Sequence, residues 1–221
     1  MSTLPPPELR SRILEALERD PVPTRAEGAR RRTRALVLGF GALLGTLAVI
    51  GPKLHHRSPG YVAALVFTWL FIAAMATWAG VAPGRSMLGR PAATRIAVIV
   101  LTPVALMSGW ALAALAWPAT LHDASTPSRH LICDAVTFAL AIGPLFAFGF
   151  LRRGSDPVSP RLTGAAIGTA ATAWAAVVLH LVCGYTSAIH ILVGHVLPVL
   201  GIALVGSVVT ARTVAIRTKT G

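Results

Sequence analysis

The sequence predicts an all-α membrane protein, a six-span transmembrane helix bundle carrying a short cytoplasmic N-terminal amphipathic helix. Three observations predict it. Hydrophobic residues make up 54% of the 221 and charged residues only 13%. The apolar residues gather into long runs free of Asp, Glu, Lys and Arg. Lys and Arg are sorted unequally between the loops that separate those runs.

The runs are residues 35–52, 58–84, 96–121, 135–151 and 162–211. A bilayer crossing needs about 20 apolar residues, so each run is long enough for one span. The last run holds 50 residues, about 75 Å as a single helix and far beyond the bilayer thickness. Gly184-Tyr185-Thr186-Ser187 is the natural place to fold it into two spans. The domain organisation follows: a cytoplasmic tail over 1–34, a six-helix transmembrane domain over 35–211, and a carboxyl tail over 212–221.

An even number of spans puts both termini on one side, and Lys and Arg beside the spans decide which side. Eight Arg lie in the amino tail. Arg85, Arg90 and Arg95 lie in the second loop, Arg152, Arg153 and Arg161 in the fourth, and Arg212, Arg217 and Lys219 in the carboxyl tail. Only Lys53, Arg57 and Arg129 fall on the other face. The tails and even loops are therefore expected in the cytoplasm, with the odd loops facing the periplasm or exterior. The first 34 residues are polar and the first apolar run is a full span, so no cleavable signal peptide is expected. The net charge of +12 reads as a topology signal facing anionic lipid, not as a nucleic-acid footprint.

Histidine is sorted as well. His55, His56, His122, His130, His180, His190 and His195 all fall at or near the outer face, together with both cysteines. Cys133 lies 19 residues above Arg152 and Cys183 lies 22 above Arg161. At 1.5 Å per residue their depths differ by about 4.5 Å. Adjacent antiparallel helices bring two such thiols within disulfide reach if both face the interface. Metal coordination is the competing reading. His180 and Cys183 share a helix face at i, i+3, and Cys133, Asp134, His130 and His190 come from neighbouring ends. Thiolate with imidazole suits zinc, copper(I) or cadmium. In the third reading both cysteines are small packing residues. His195, deeper and before Pro198, reads as a structural hydrogen-bonder, with proton relay as the alternative.

The spans carry no mid-depth ion pairs, phosphate loop or nucleophile–base pair, so neither an enzyme nor a resident cofactor is expected. Pro103, Pro144 and Pro198 predict kinks, and Gly164 with Gly168 forms a GxxxG packing motif.

In the tail, Pro5-Pro6-Pro7 precedes a 13-residue segment, residues 8–20, that stops at Pro21. Leu9, Ile13, Leu14 and Leu17 form one apolar stripe at helical spacing. A helix this short is marginal alone. Its stripe needs a partner, and its mixed, partly acidic polar face favours a protein over a lipid surface. Burial would contribute about 1.5–3 kcal/mol per aliphatic side chain before ordering costs. Pro21-Val22-Pro23 and the run to Arg34 read as a tether ending in a basic membrane anchor.

The ordering Leu9…Ile13-Leu14…Leu17…Asp20-Pro21-Val22-Pro23, an Arg-rich run and six spans resembles the NrsF-type membrane anti-sigma factors. Gly51-Pro52-Lys53-Leu54 after the first span adds to the likeness, as do Cys133…Cys183 flanking Pro144, Arg152-Arg153 and the glycines of the fifth span. The resemblance implies that the tail holds an extracytoplasmic-function sigma factor at the lipid bilayer, away from RNA polymerase. It makes Leu9, Ile13, Leu14, Leu17, Pro21 and Val22 the sigma-binding residues, and Cys133 with Cys183 the sensing pair. The metal alternative (His180, Cys183, Cys133, His130 and His190) stays open beside it. Relatives respond to redox or metal stress, while the His-rich outer end here departs from the thiol-sensing pattern. In length and overall character the chain also resembles members of that family that control light-induced carotenoid genes, a resemblance that implies light or singlet oxygen as the stimulus. The rival functions are a small metal or solute carrier and a scaffold whose tail docks on lipid.

Overall fold

The computed structural model describes residues 25–52, 57–81, 91–117, 126–153 and 158–214. These are almost entirely helical, with no strand among them. The helices are α1 (Arg25–Ile50), α2 (Pro59–Val81), α3 (Ala92–Ala116), α4 (Pro127–Leu151), α5 (Pro160–Val182), α6 (Ala188–Ile191), α7 (Leu197–Val209) and α8 (Ala211–Val214). A π-helical turn, Leu192–Val196, joins α6 to α7. Six stretches are long and apolar enough to cross a membrane: Thr33–Ile50, Pro59–Val81, Ala92–Ala116, Pro127–Leu151, Pro160–Val182 and Ala188–Val209. The fifth and sixth part at residues 183–187, where Gly184 and its neighbours break the 50-residue run.

By its contacts the chain divides into two units, Met1–Arg34 and Ala35–Gly221. The amphipathic segment with Leu9, Ile13, Leu14 and Leu17, and the Pro21 and Val22 that follow, lie outside the described residues. So do His55, His56 and His122. The expected tether is corrected at its far end, because α1 already begins at Arg25. Arg, Ala and Glu are strong helix formers, and Arg25-Ala26-Glu27 starts a helix that the following apolar run continues. Arg95, placed in a loop by its charge, sits in the first turn of α3 and donates to Ser159 Oγ at 2.6 Å.

In the second unit α5 is the axis. It packs against α2, α3, α4 and α7, and 83% of its apolar window is buried. Its small residues allow this. A Cβ on Gly164 would run into the Gly206 carbonyl, and one on Gly206 into that of Gly164, so α5 and α7 meet backbone to backbone. Thr169 and Thr172 return their hydroxyls to the carbonyls of Ala165 and Gly168, which satisfies them inside an apolar bundle. One core cluster joins Tyr61, Leu65, Trp69, Leu106 and Ala176 with Ile191 and Val199. A second joins Leu43, Leu140, Phe148, Ile167 and Ile202. The outward faces are apolar too: Leu38, Val49, Phe67, Phe71, Leu115, Phe146 and Leu204 are all exposed.

Candidate functional site

The end of the bundle where α4 begins and α5 ends collects the chemistry. Cys133 lies in the second turn of α4, and Cys183 caps α5 as the chain leaves the helix. Their sulfurs stand 3.7 Å apart, with no disulfide between them. His190 on α6 brings Nε2 to 3.1 Å from Cys183 Sγ. His195 lies in the π turn, fully buried.

Local sequence explains that placement. In an ideal α-helix, residues five apart point about 140° away from each other. A π turn closes i→i+5 hydrogen bonds instead, and here Leu197 N–H reaches the Leu192 carbonyl. The wider turn carries His195 round to the side of His190, their ring centroids 5.4 Å apart. Pro198 supplies the cause. It has no N–H to give to the carbonyl four residues earlier, which is Gly194. Thr137 Oγ1 of α4 shares its single proton between that freed carbonyl, 3.0 Å away, and the Cys133 carbonyl of its own helix, 2.7 Å away. Gly194 itself faces Cys133: a Cβ there would sit 3.0 Å from the Cys133 Cβ. The π turn and α4 are therefore joined beside the thiol.

One donor atom from each of Cys133, Cys183, His190 and His195 lies within 4.8 Å of all the others. His130 and His180 flank this group. The His130 ring is 5.1 Å from that of His190, and the His180 ring 6.1 Å from that of His195. Trp69 stacks on His180 with centroids 6.0 Å apart. The structure thus brings the six cysteine and histidine side chains together and orders them, with His195 inside the donor group and His130 and His180 beside it. Asp134, next to Cys133 in sequence, is not one of the four donors.

Arg57 is the residue that sequence reasoning missed. Counted only as an outer-face charge, it is in fact buried. Its guanidinium donates from Nη1 to the His180 carbonyl at 3.0 Å and from Nη2 to the Cys183 carbonyl. These are carbonyls at the open C-terminal end of α5, where the helix dipole is negative and partners are lacking. Burial lowers the Arg57 pKa from its usual range, and the neighbouring Cys183 and Tyr61 oppose that shift. Trp110 Nε1 donates to the Thr186 carbonyl at 3.0 Å and pins the rest of the 183–187 segment.

The described residues are thus an all-helical protein with six helices long and apolar enough to cross a membrane, closed at one end around a thiol–imidazole cluster held by interhelical contacts. The chain belongs to the NrsF family, described as negative regulator of sigma F, whose model matches residues 16–215. The family's description implies a negative regulator of a sigma factor, with a sigma factor as its partner. The matched region takes in Leu17, Pro21, Val22 and the whole cysteine–histidine cluster, and begins after Leu9, Ile13 and Leu14. No curated protein and no solved structure matches the chain.

Proposed function

We propose that this protein is an inner-membrane anti-sigma factor that sequesters an extracytoplasmic-function sigma factor through its amino tail. The observation that carries the reading is the family match across residues 16–215, which joins residues 16–34 of the tail to the six apolar helices. The apolar stripe Leu9, Ile13, Leu14 and Leu17, with Pro21 and Val22, docks in an apolar groove of the sigma factor. Charge sorting supports a topology with both termini in the cytoplasm. Exposed side chains such as Phe67, Phe71 and Leu115 on the outward helix faces support a lipid environment.

Cys133 and Cys183 are the perceiving pair in this reading, facing the outer compartment, where an oxidised state persists. A redox, light-driven or metal stimulus alters the packing of α4 on α5, the tail loosens, and the sigma factor reaches RNA polymerase. Light-induced carotenoid genes are the regulon put forward. Co-purification of the full-length chain from membranes tests the core of this. A sigma factor comes down with the wild type and is lost on Leu14→Asp or Leu17→Asp. If both variants retain the same soluble partners as the wild type, sequestration by the tail is wrong. Cys133→Ser and Cys183→Ser are expected to give one shared, unresponsive phenotype in a regulon reporter.

A further inference from the structure

We propose that Cys133, Cys183, His190 and His195 form a closed four-ligand site for a thiophilic d10 cation of the zinc or cadmium type. The inference deepens the perceiving role given above to the two cysteines and rests on that reading for its regulatory meaning alone.

Distances come first. Around a tetrahedral ion with metal–sulfur bonds of about 2.3 Å and metal–nitrogen bonds of about 2.0 Å, neighbouring sulfurs lie about 3.8 Å apart and sulfur and nitrogen about 3.5 Å apart. The two sulfurs here stand 3.7 Å apart, Cys183 Sγ and His190 Nε2 stand 3.1 Å apart, and all four donors fall within 4.8 Å. A disulfide would need about 2.05 Å. The thiols are spaced as the edge of a coordination polyhedron.

The second observation is independent of spacing. His195 is fully buried, and neither Nδ1 nor Nε2 has a hydrogen-bond partner. A neutral imidazole carries one donor and one acceptor, and leaving both unmet in an apolar interior is costly. Trp69 lies beside this ring, with centroids 6.3 Å apart, and offers it no acceptor. A cation on one nitrogen supplies one of the two missing partners. The Pro198-driven π turn, which sets His195 beside His190, thereby acquires a purpose.

Charge and softness then select the ion. Two thiolates neutralise a dication, so the loaded site is uncharged inside the bundle. Two sulfurs and two imidazoles favour zinc or cadmium over magnesium or calcium, and four protein ligands leave no open position for catalysis. The ion would tie α4, the end of α5, α6 and the π turn to one another. Occupancy would therefore act directly on the helix pairing that the regulatory reading invokes.

The test uses the reduced, metal-free, full-length protein in detergent, titrated with Zn2+ or Cd2+ alone. One ion per chain is expected. X-ray absorption of the Zn2+-loaded wild type should show two sulfurs at about 2.3 Å and two nitrogens at about 2.0 Å. Because outer-shell partners alone are worth about 10–100-fold in affinity, His195→Asn should weaken binding by about 100-fold or more. His130→Asn and His180→Asn, which touch the ligand rings without supplying a donor atom, should each weaken it less than His195→Asn does. No uptake by the reduced wild type, a sulfur-free coordination shell, or loss at His130 or His180 with none at His195 would overturn the site. The absorption measurement needs no variant, so it stands even if His195→Asn fails to fold. Sigma retention is read on the same preparations: sigma held without metal uptake sinks the site alone, and metal uptake without sigma sinks the anti-sigma reading alone.

Discussion

At the scale of single residues, burial gives a position a meaning that its charge does not. Arg57 and Arg129 are equivalent in a count of outer-face cations, yet Arg129 is exposed and Arg57 is enclosed with two carbonyls of α5 in its grip. Charge-assisted bonds of this kind contribute about 1.5–3 kcal/mol. Arg57→Met should therefore lower the stability of the bundle by about 3 kcal/mol, read as the thermal midpoint in detergent, with Arg129→Met within about 0.5 kcal/mol of wild type. Equal effects would mean that Arg57 does no more than mark topology. The same contrast explains what could be read of the cluster beforehand. Cys133 and Cys183 were placed near one another by counting rises from the Arg152–Arg161 turn, because helix depth is linear in residue number. His195 stands apart in the sequence by its depth in the sixth apolar run, and the π turn is what brings it beside His190.

At the scale of elements, length and apolarity carried most of the signal. All six spans, and the break before Ala188, were legible because a bilayer-length helix and a run of twice that length leave few alternatives. Helix starts were less legible. The sequence boundary at Arg34 follows charge, whereas α1 starts at Arg25, since a helix former need not be apolar. The π turn was foreshadowed only by Pro198, and its support from Thr137 is a contact between distant segments that no local pattern announces. Thr137→Val removes the donor to the Gly194 carbonyl and should cost about 1 kcal/mol, while Thr137→Ser retains the bond and the stability. A matching fall for both variants would show that the methyl group matters and the hydroxyl does not. At the α5–α7 crossing the backbones touch, so Gly206→Leu has no space to enter. Overpacking costs about 1–3 kcal/mol or more where the neighbour is main chain, and loss of the monodisperse species on gel filtration would report it.

At the scale of the whole molecule, the distribution of charge and the distribution of exposed apolar surface make separate demands that one arrangement meets. Seventeen of the 20 Lys and Arg fall in the tails and even loops, and Lys and Arg near span ends resist translocation. The exposed faces of the helices, with Leu38, Val49, Phe67 and Leu204 among them, carry large apolar side chains suited to contact with lipid. Together they predict that a reporter active only in the cytoplasm is active when fused after Arg34 or after the carboxyl terminus, and silent when fused in the loop before Pro127. A reporter active only outside should give the reverse pattern. Moving charge should move the outcome: replacing Arg152, Arg153 and Arg161 with Gln while adding three Lys between residues 118 and 125 removes the local bias around the α4–α5 hairpin. The loop fusion should then lose a measurable part of its outer-side signal. If the hairpin keeps its orientation undiminished, charge sorting is not what holds this end of the molecule outward. The proposed position of the cysteine–histidine cluster on the oxidising side would then lose its support.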